Sequence, residues 1–301
     1  MNHIIKSQQF DKKLISNLFS RADKLSQKNL QPLKGKIMAS LFYEPSTRTR
    51  FSFESAMLRL GGSVISTENA KEFSSVSKGE TLEDTIKTIS QYADIIVMRH
   101  FEKNASEVAS KVSSVPVVNA GDGTGQHPTQ ALLDLYTIKK ELNKIDGISI
   151  ALVGDLKHGR TIHSLAYLLS KYSKVKLYLV SPVSLRIGED IKKYLDKQKT
   201  FYEELEDLES IINKVDVVYQ TRIQKERFKN NKEYEKFKGC YKIDLKLVAK
   251  MKPKSIIMHP LPRVDEILPE VDSSPKAIYF KQVKYGLFIR MAILEHLLVK
   301  K

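Results

Sequence analysis

Lys36-Ile37-Met38-Ala39-Ser40-Leu41-Phe42-Tyr43-Glu44-Pro45-Ser46-Thr47-Arg48-Thr49-Arg50-Phe51 is a strand that hands over directly to a helix. The run from Lys36 to Phe42 is short and largely apolar, as a strand is. From about Ser46 to Leu60 the apolar residues Phe53, Ala56, Met57 and Leu60 fall on one helical face. The first N–H groups of a helix have no partner within it, so they and its positive end point into the connecting loop. Ser46, Thr47 and Thr49 add hydroxyl donors there, and Arg48 adds a planar fork that suits phosphate. An ordinary Ser N-cap with arginines on a solvated face would give the same string. Hydroxyls and an arginine crowded into one first turn favour the phosphate site.

Outward from this stretch the alternation continues, which is the pattern of parallel α/β architecture. A helix from about Thr81 to Tyr92 leads into a strand Asp94–Met98, then a strand Val115–Asn119 and a helix from about Pro128 to Leu142. The polar, turn-like segment Asn143-Lys144-Ile145-Asp146-Gly147 is a domain junction. Beyond it, Ile148–Val153, Val175–Val180, Val215–Tyr219 and Ser255–Met258 are strands with helices between them. The last helix runs from Gly286 to Val299. The expectation is two α/β domains, each a parallel sheet flanked by helices, at residues 1–142 and 143–285. The C-terminal helix, 286–301, is expected to pack back on the first domain. A length of 301 residues fits two domains of about 150 each.

Composition narrows the function. Hydrophobic residues make up 42% and charged ones 28%, which is globular composition. No apolar run reaches the roughly 18–20 residues of a membrane span, and the N-terminus lacks the apolar core of a signal peptide. One cysteine, Cys240, leaves no intrachain disulfide and no Cys-based zinc site. The histidines show no metal-ligand spacing. These features imply a reduced, cytoplasmic protein that uses no metal and no cofactor. The formal charge of +15 suits an acidic substrate, a nucleic acid or only a lysine-rich surface. The lysines are scattered singly and no basic block is interleaved with aromatics, which argues against nucleic acid.

Three arginines, Arg99, Arg160 and Arg222, each follow a predicted strand, where open α/β sheets bind ligands. Singly, each is as readily a salt-bridged surface residue. His127 precedes Pro128 at a helix start, where a capping role is the alternative. Gly154-x-x-x-x-Gly159-Arg160-Thr161 is a near-miss to a nucleotide loop, with arginine in place of the lysine and no acidic metal-binding strand. Ser74-Ser75-Val76-Ser77-Lys78-Gly79-Glu80-Thr81 has the composition of a solvated loop.

Ser46-Thr47-Arg48-Thr49-Arg50 resembles the carbamoyl phosphate signature of the aspartate/ornithine carbamoyltransferase family. The resemblance runs in order through Val97-Met98-Arg99-His100, Asn119-Ala120-Gly121-Asp122-Gly123 and His127-Pro128-Thr129-Gln130. It continues through Gly154–Thr161, Thr221–Arg227 and His259-Pro260-Leu261-Pro262-Arg263, and so spans nearly the whole chain. Ornithine members typically carry Cys where this chain has Pro260, so the second substrate implied is L-aspartate. The resemblance assigns carbamoyl phosphate to Ser46, Thr47, Arg48, Thr49, Arg99, His127 and Gln130. It assigns aspartate to Lys78, Arg160, Arg222 and Gln224, with backbone contacts from Leu261 and Pro262. Arg48, Thr49, Lys78, Arg99 and His127 are the implied catalytic set, and Glu44 is implied to close the domains by pairing with Arg160 and Arg227. Ser74 and Lys78 match a loop that reaches a neighbouring subunit's site, which implies a homotrimer to which separate regulatory chains can attach. His158 stands where some relatives carry Tyr.

Overall fold

The computed structural model describes residues 3–68, 79–223, 234–237 and 239–299. Ser74, Lys78, Gln224 and Arg227 lie outside the described residues. Among the described residues, two units separate by their internal contacts: residues 1–133 with 284–301, and residues 134–283.

The first unit holds a sheet of β1 (Ile37–Phe42), β2 (Ser63–Glu68), β3 (Ile95–His100) and β4 (Val117–Asp122). Its order is β2-β1-β3-β4, and every pairing is parallel. The chain therefore steps from β1 to one side, then returns to the other, and the order reverses between β1 and β3. Around the sheet lie α1 (Lys12–Gln27), α2 (Thr47–Arg59), α3 (Leu82–Ile89) and α4 (Ala105–Val112). Phe53, Ala56 and Met57 bury the inner face of α2, as their spacing requires. Fully burying Phe53 or Met57 contributes about 1.5–3 kcal/mol each.

The second unit repeats the design with β5 (Ser149–Val153), β6 (Lys176–Val180), β7 (Phe201–Leu205), β8 (Val217–Gln220) and β9 (Ile256–Met258). The order is β7-β6-β5-β8-β9, again all parallel, and it reverses between β5 and β8. Numbering on after α5 (Pro128–Leu142), the remaining helices are α6 (Arg160–Leu169), α7 (Glu189–Lys197), α8 (Leu245–Ala249) and α9 (Tyr279–Leu298).

Two features depart from the sequence reading. The edge strands β2 and β7 have no apolar-run signature, because Ser-Val-Ile-Ser-Thr-Glu and Phe-Tyr-Glu-Glu-Leu mix polar residues into strands that pair on one side only. The last helix starts at Tyr279 rather than Gly286, and Gly286 sits inside it. A Cβ on Gly286 would lie 3.0 Å from Leu133 Cδ2, so the glycine marks a close approach and not a helix end. By internal contacts the two units divide within helices α5 and α9. The 143–147 turn joins α5 to β5, while the helices themselves run on across the division. As expected, the C-terminal helix belongs with the first unit: Arg290 donates to Ser52 Oγ at 2.7 Å and lies over the Phe53 ring. Arg21 pairs with Glu295 at the same face.

Where β5 leaves the second sheet, Gly154 has φ +119°, and a Cβ there would stand 2.4 Å from the Thr221 carbonyl oxygen. Thr221 is tied in turn to Val153 O by its N–H at 2.9 Å and its hydroxyl at 2.8 Å. Only glycine lets the exits of β5 and β8 run this close. Gly154→Ala should destabilise the protein by at least about 2 kcal/mol through strain and overpacking. Thermal unfolding checks this, and an unchanged midpoint would show that the strand exits can part freely.

Candidate active site

In the first unit, the reversal between β1 and β3 places the start of α2 beside the end of β3. Ser46 is the N-cap of α2, yet its side chain makes no capping bond, and no acidic residue stands in the first turn. The bland reading of the serine as an ordinary cap is therefore not how it is used. Thr49 is buried, whereas Thr47 and Arg48 are exposed at the mouth of the helix. Arg50 turns away along the helix toward Glu54, at 3.7 Å, and its guanidinium lies near the Phe51 ring. Of the two arginines in the stretch, Arg48 is the one at the helix mouth.

Arg99 stands on β3 next to Phe42 of β1 in the sheet register. Its Nε is 3.1 Å from Glu44 Oε2, an ion pair within the first unit that the sequence reading did not assign. The Arg99 guanidinium is the charge a phosphate would use, and Glu44 is the carboxylate an incoming anion would compete with for it. His100, the next residue, stacks on Phe101, meets Tyr43 at a tilt and accepts the Glu102 N–H at Nδ1. Burial holds the His100 ring below its ordinary pKa, so the acceptor role persists at neutral pH.

His127 and Gln130 come from the loop after β4 and the first turn of α5, and both side chains are buried. Asp122 builds the loop: Oδ1 accepts the Gln126 N–H at 2.8 Å and Oδ2 the Asn104 N–H at 3.0 Å. Gly123 permits this with φ +46°, since a Cβ would meet the Phe101 carbonyl oxygen at 2.6 Å. His127 Nδ1 is 3.4 Å from Thr129 Oγ1, and its carbonyl accepts the Gln130 N–H at 3.0 Å.

The second unit presents its arginines at its own reversal point. Arg160 opens α6, whose N-cap Gly159 supplies no side chain. The turn before it is fixed by Asp155, almost fully buried, which accepts the His158 N–H at 3.0 Å and pairs with the His158 ring at 3.1 Å. His158, flagged in sequence only as a departure from relatives, thus helps to shape the approach to Arg160. Arg222 follows Thr221 at the exit of β8 and lines a small cavity of about 40 Å³ with Gln220, Tyr241 and Glu266. Cys240 lines it as well; burial pushes its thiol up, so it stays protonated rather than acting as a nucleophile. Leu261 and Pro262 form a tight loop after β9, with a cis peptide between them and Leu261 at φ +56°.

Sequence reasoning missed the supports of this loop. His259 and Glu266 are both buried and pair at 2.8 Å. Beside them, Asp134 accepts from Tyr219 Oη and from Gln282 Nε2, each at 2.7 Å. Burial and the Asp134 charge push the Tyr219 hydroxyl well above its ordinary pKa, so it stays a donor. The signal available was polar residues, Asp134 on α5 and Gln282 on α9, set among apolar helix positions. Among the described residues, no group of three or more His, Cys, Asp and Glu side chains could hold a metal.

The start of α2, with Ser46 free of capping and Arg48 at its mouth, has the chemistry an anion would use. Arg48→Ala should weaken inorganic phosphate binding about 10- to 100-fold, the loss of a charge-assisted bond, with an unchanged circular dichroism spectrum. Calorimetric titration with phosphate checks it, and undiminished affinity would remove Arg48 from the anion site.

Comparison with known proteins gives the same picture from a separate direction. Residues 2–140 match the aspartate/ornithine carbamoyltransferase carbamoyl-P binding domain, and residues 146–297 match the Asp/Orn binding domain of that family. The chain is 56% identical to the chloroplastic aspartate carbamoyltransferase of Arabidopsis thaliana, covering 99% of this chain and 78% of that protein. It is also similar to the solved catalytic subunit of M. jannaschii aspartate transcarbamoylase, with TM-score 0.91, 53% identity, and 99% and 98% of the two chains covered. The Trypanosoma cruzi aspartate transcarbamoylase solved with carbamoyl phosphate and aspartate superposes with TM-score 0.94 at 42% identity, over 99% and 97% of the chains. On two domain matches and full-length relatives of this identity, the chain belongs to the aspartate/ornithine carbamoyltransferase family.

Proposed function

We infer that this chain is an aspartate carbamoyltransferase. It transfers the carbamoyl group of carbamoyl phosphate to the amine of L-aspartate, giving N-carbamoyl-L-aspartate and phosphate, the second step of de novo pyrimidine (UMP) biosynthesis. The observation that carries this reading is the placement of arginines at the reversal points of both sheets: Arg99 beside the Ser46–Thr49 helix start, Arg160 and Arg222 at the other. A dianion and a dicarboxylate need fixed cations of this kind. The relatives named for the aspartate reaction supply the choice of amine.

In this mechanism Ser46, Thr47, Arg48, Thr49 and Arg99 hold the phosphate group. His127 donates to the carbamoyl oxygen, and Gln130 holds the carbamoyl amide. Arg160, Arg222 and Gln224 bind the aspartate carboxylates. The amine attacks the carbamoyl carbon, negative charge builds on the carbamoyl oxygen, and phosphate departs with the C–O electron pair and the proton that the amine sheds. No side chain forms a covalent bond, so rate comes from positioning and from donors aimed at the developing charge. A single such donor is typically worth about 10²–10³ in rate.

Lys78 and Ser74 act in a neighbouring subunit's site, in a homotrimer. Support comes from the outer face of α2, where exposed Phe51 and Leu58 line a shallow concavity with Glu54, Ser55 and Arg59. An aromatic and a leucine left outside on one helix suit a protein contact. We place the reaction in the cytoplasm, in keeping with a single free cysteine.

Phosphate release from carbamoyl phosphate with aspartate, with ornithine or with neither tests the reading. Release that depends on aspartate alone is expected, and release with ornithine instead would reassign the second substrate. Arg222→Ala should raise the aspartate KM by about 10- to 100-fold while carbamoyl phosphate affinity changes little. An equal fall in both would mean that Arg222 serves the wrong half-reaction. For the trimer, inactive Arg48→Ala and Lys78→Ala proteins are dissociated and reassociated together. Activity should return in the mixture, and verified mixed oligomers without activity would refute the shared site.

A further inference from the structure

His259 carries an arrangement that fixes its protonation. Its Nδ1 accepts the backbone N–H of Leu261 at 2.7 Å, so that nitrogen holds a lone pair and no proton. Its Nε2 faces Glu266 Oε1 at 2.8 Å, and a carboxylate oxygen there is an acceptor. The ring proton therefore sits on Nε2. Glu266 Oε2 accepts the N–H groups of Val264 and Asp265, each at 3.1 Å, so three donors hold the carboxylate. Behind the ring, the His259 N–H donates to Gln282 Oε1 at 3.1 Å, and Gln282 is held by buried Asp134.

The bond from Leu261 restrains a conformation that leucine adopts reluctantly. At φ +56° it lies in the left-handed region, which costs about 1–2 kcal/mol for a residue with a Cβ. Such strain persists only where neighbours enforce it. Leu261 and Pro262 are also the residues whose backbone the substrate reading places against aspartate.

We propose that His259 is a positioning residue: as the neutral Nε2–H tautomer, oriented by Glu266, it clamps Leu261 in its left-handed turn and so sets the Leu261–Pro262 backbone for its contacts with aspartate. This rests on the aspartate reading above. The clamp acts through Leu261, and His259 itself does not touch the substrate.

The test uses the full chain, with wild-type turnover on aspartate established first. His259→Ala removes both ring contacts. His259→Asn keeps an acceptor that reaches the N–H two residues on, as in an Asx-turn, and loses the bond to Glu266. His259→Ala should raise the aspartate KM about tenfold or more, with carbamoyl phosphate affinity unchanged. His259→Asn should recover most of that loss even where its melting point is lowered as much. If Asn is no better than Ala, or if carbamoyl phosphate affinity falls equally, the clamp is merely structural and the proposal fails. The tautomer is read separately by ¹⁵N NMR on substrate-free wild type, with Nδ1 unprotonated as the expected result. A proton on Nδ1 overturns the proposal whatever the second substrate proves to be.

Discussion

A parallel sheet whose strand order reverses in its middle cannot close over its own carboxyl ends. At the reversal, one connection leaves upward to the left and the next to the right, and the loops part. Both sheets of this protein have such a reversal, between β1 and β3 and between β5 and β8. Everything chemical follows from that gap. Helix α2 starts at one gap with Ser46 free of capping duty, and α6 starts at the other with a glycine cap. Both deliver backbone N–H groups and an arginine to the same kind of place.

The electrostatics of the two gaps differ in a way that suits different anions. The first combines hydroxyls, a helix start and two arginines, which matches the several oxygens of a phosphate. The second relies on arginines at separate strand exits, Arg160 and Arg222, which matches carboxylates held apart on one small molecule. Carboxylates of the protein are kept in fixed duties nearby. Glu44 pairs with Arg99, Glu266 with His259, and Asp155 with the turn before Arg160. Each thereby shapes an arginine's surroundings or a loop.

Much of this was legible in the chain itself. The strand-to-helix stretch at residues 36–51 showed its architecture because apolar periodicity switches there within a few residues. Buried central strands such as Ile95–His100 announce themselves as apolar runs, whereas the edge strands β2 and β7 do not. Arg99, Arg160 and Arg222 could be placed at strand ends because strands are short and their exits follow from composition. The supports could not. Asp134, Tyr219 and Gln282 are joined by hydrogen bonds between elements far apart in sequence, and His259 meets Glu266 only because the loop after β9 folds back on itself. No local pattern marks a histidine whose two nitrogens are both engaged, and Gly286 misled because a glycine at a packed crossing looks like a helix end.

The central claim is that each gap does its own half of the binding. Calorimetric titration of carbamoyl phosphate without aspartate tests it most directly, with Arg99→Ala and Arg160→Ala compared against the wild type. The account predicts that Arg99→Ala loses binding by about tenfold or more, while Arg160→Ala binds as the wild type does. Equal losses in both variants, or a loss in Arg160→Ala alone, would contradict it.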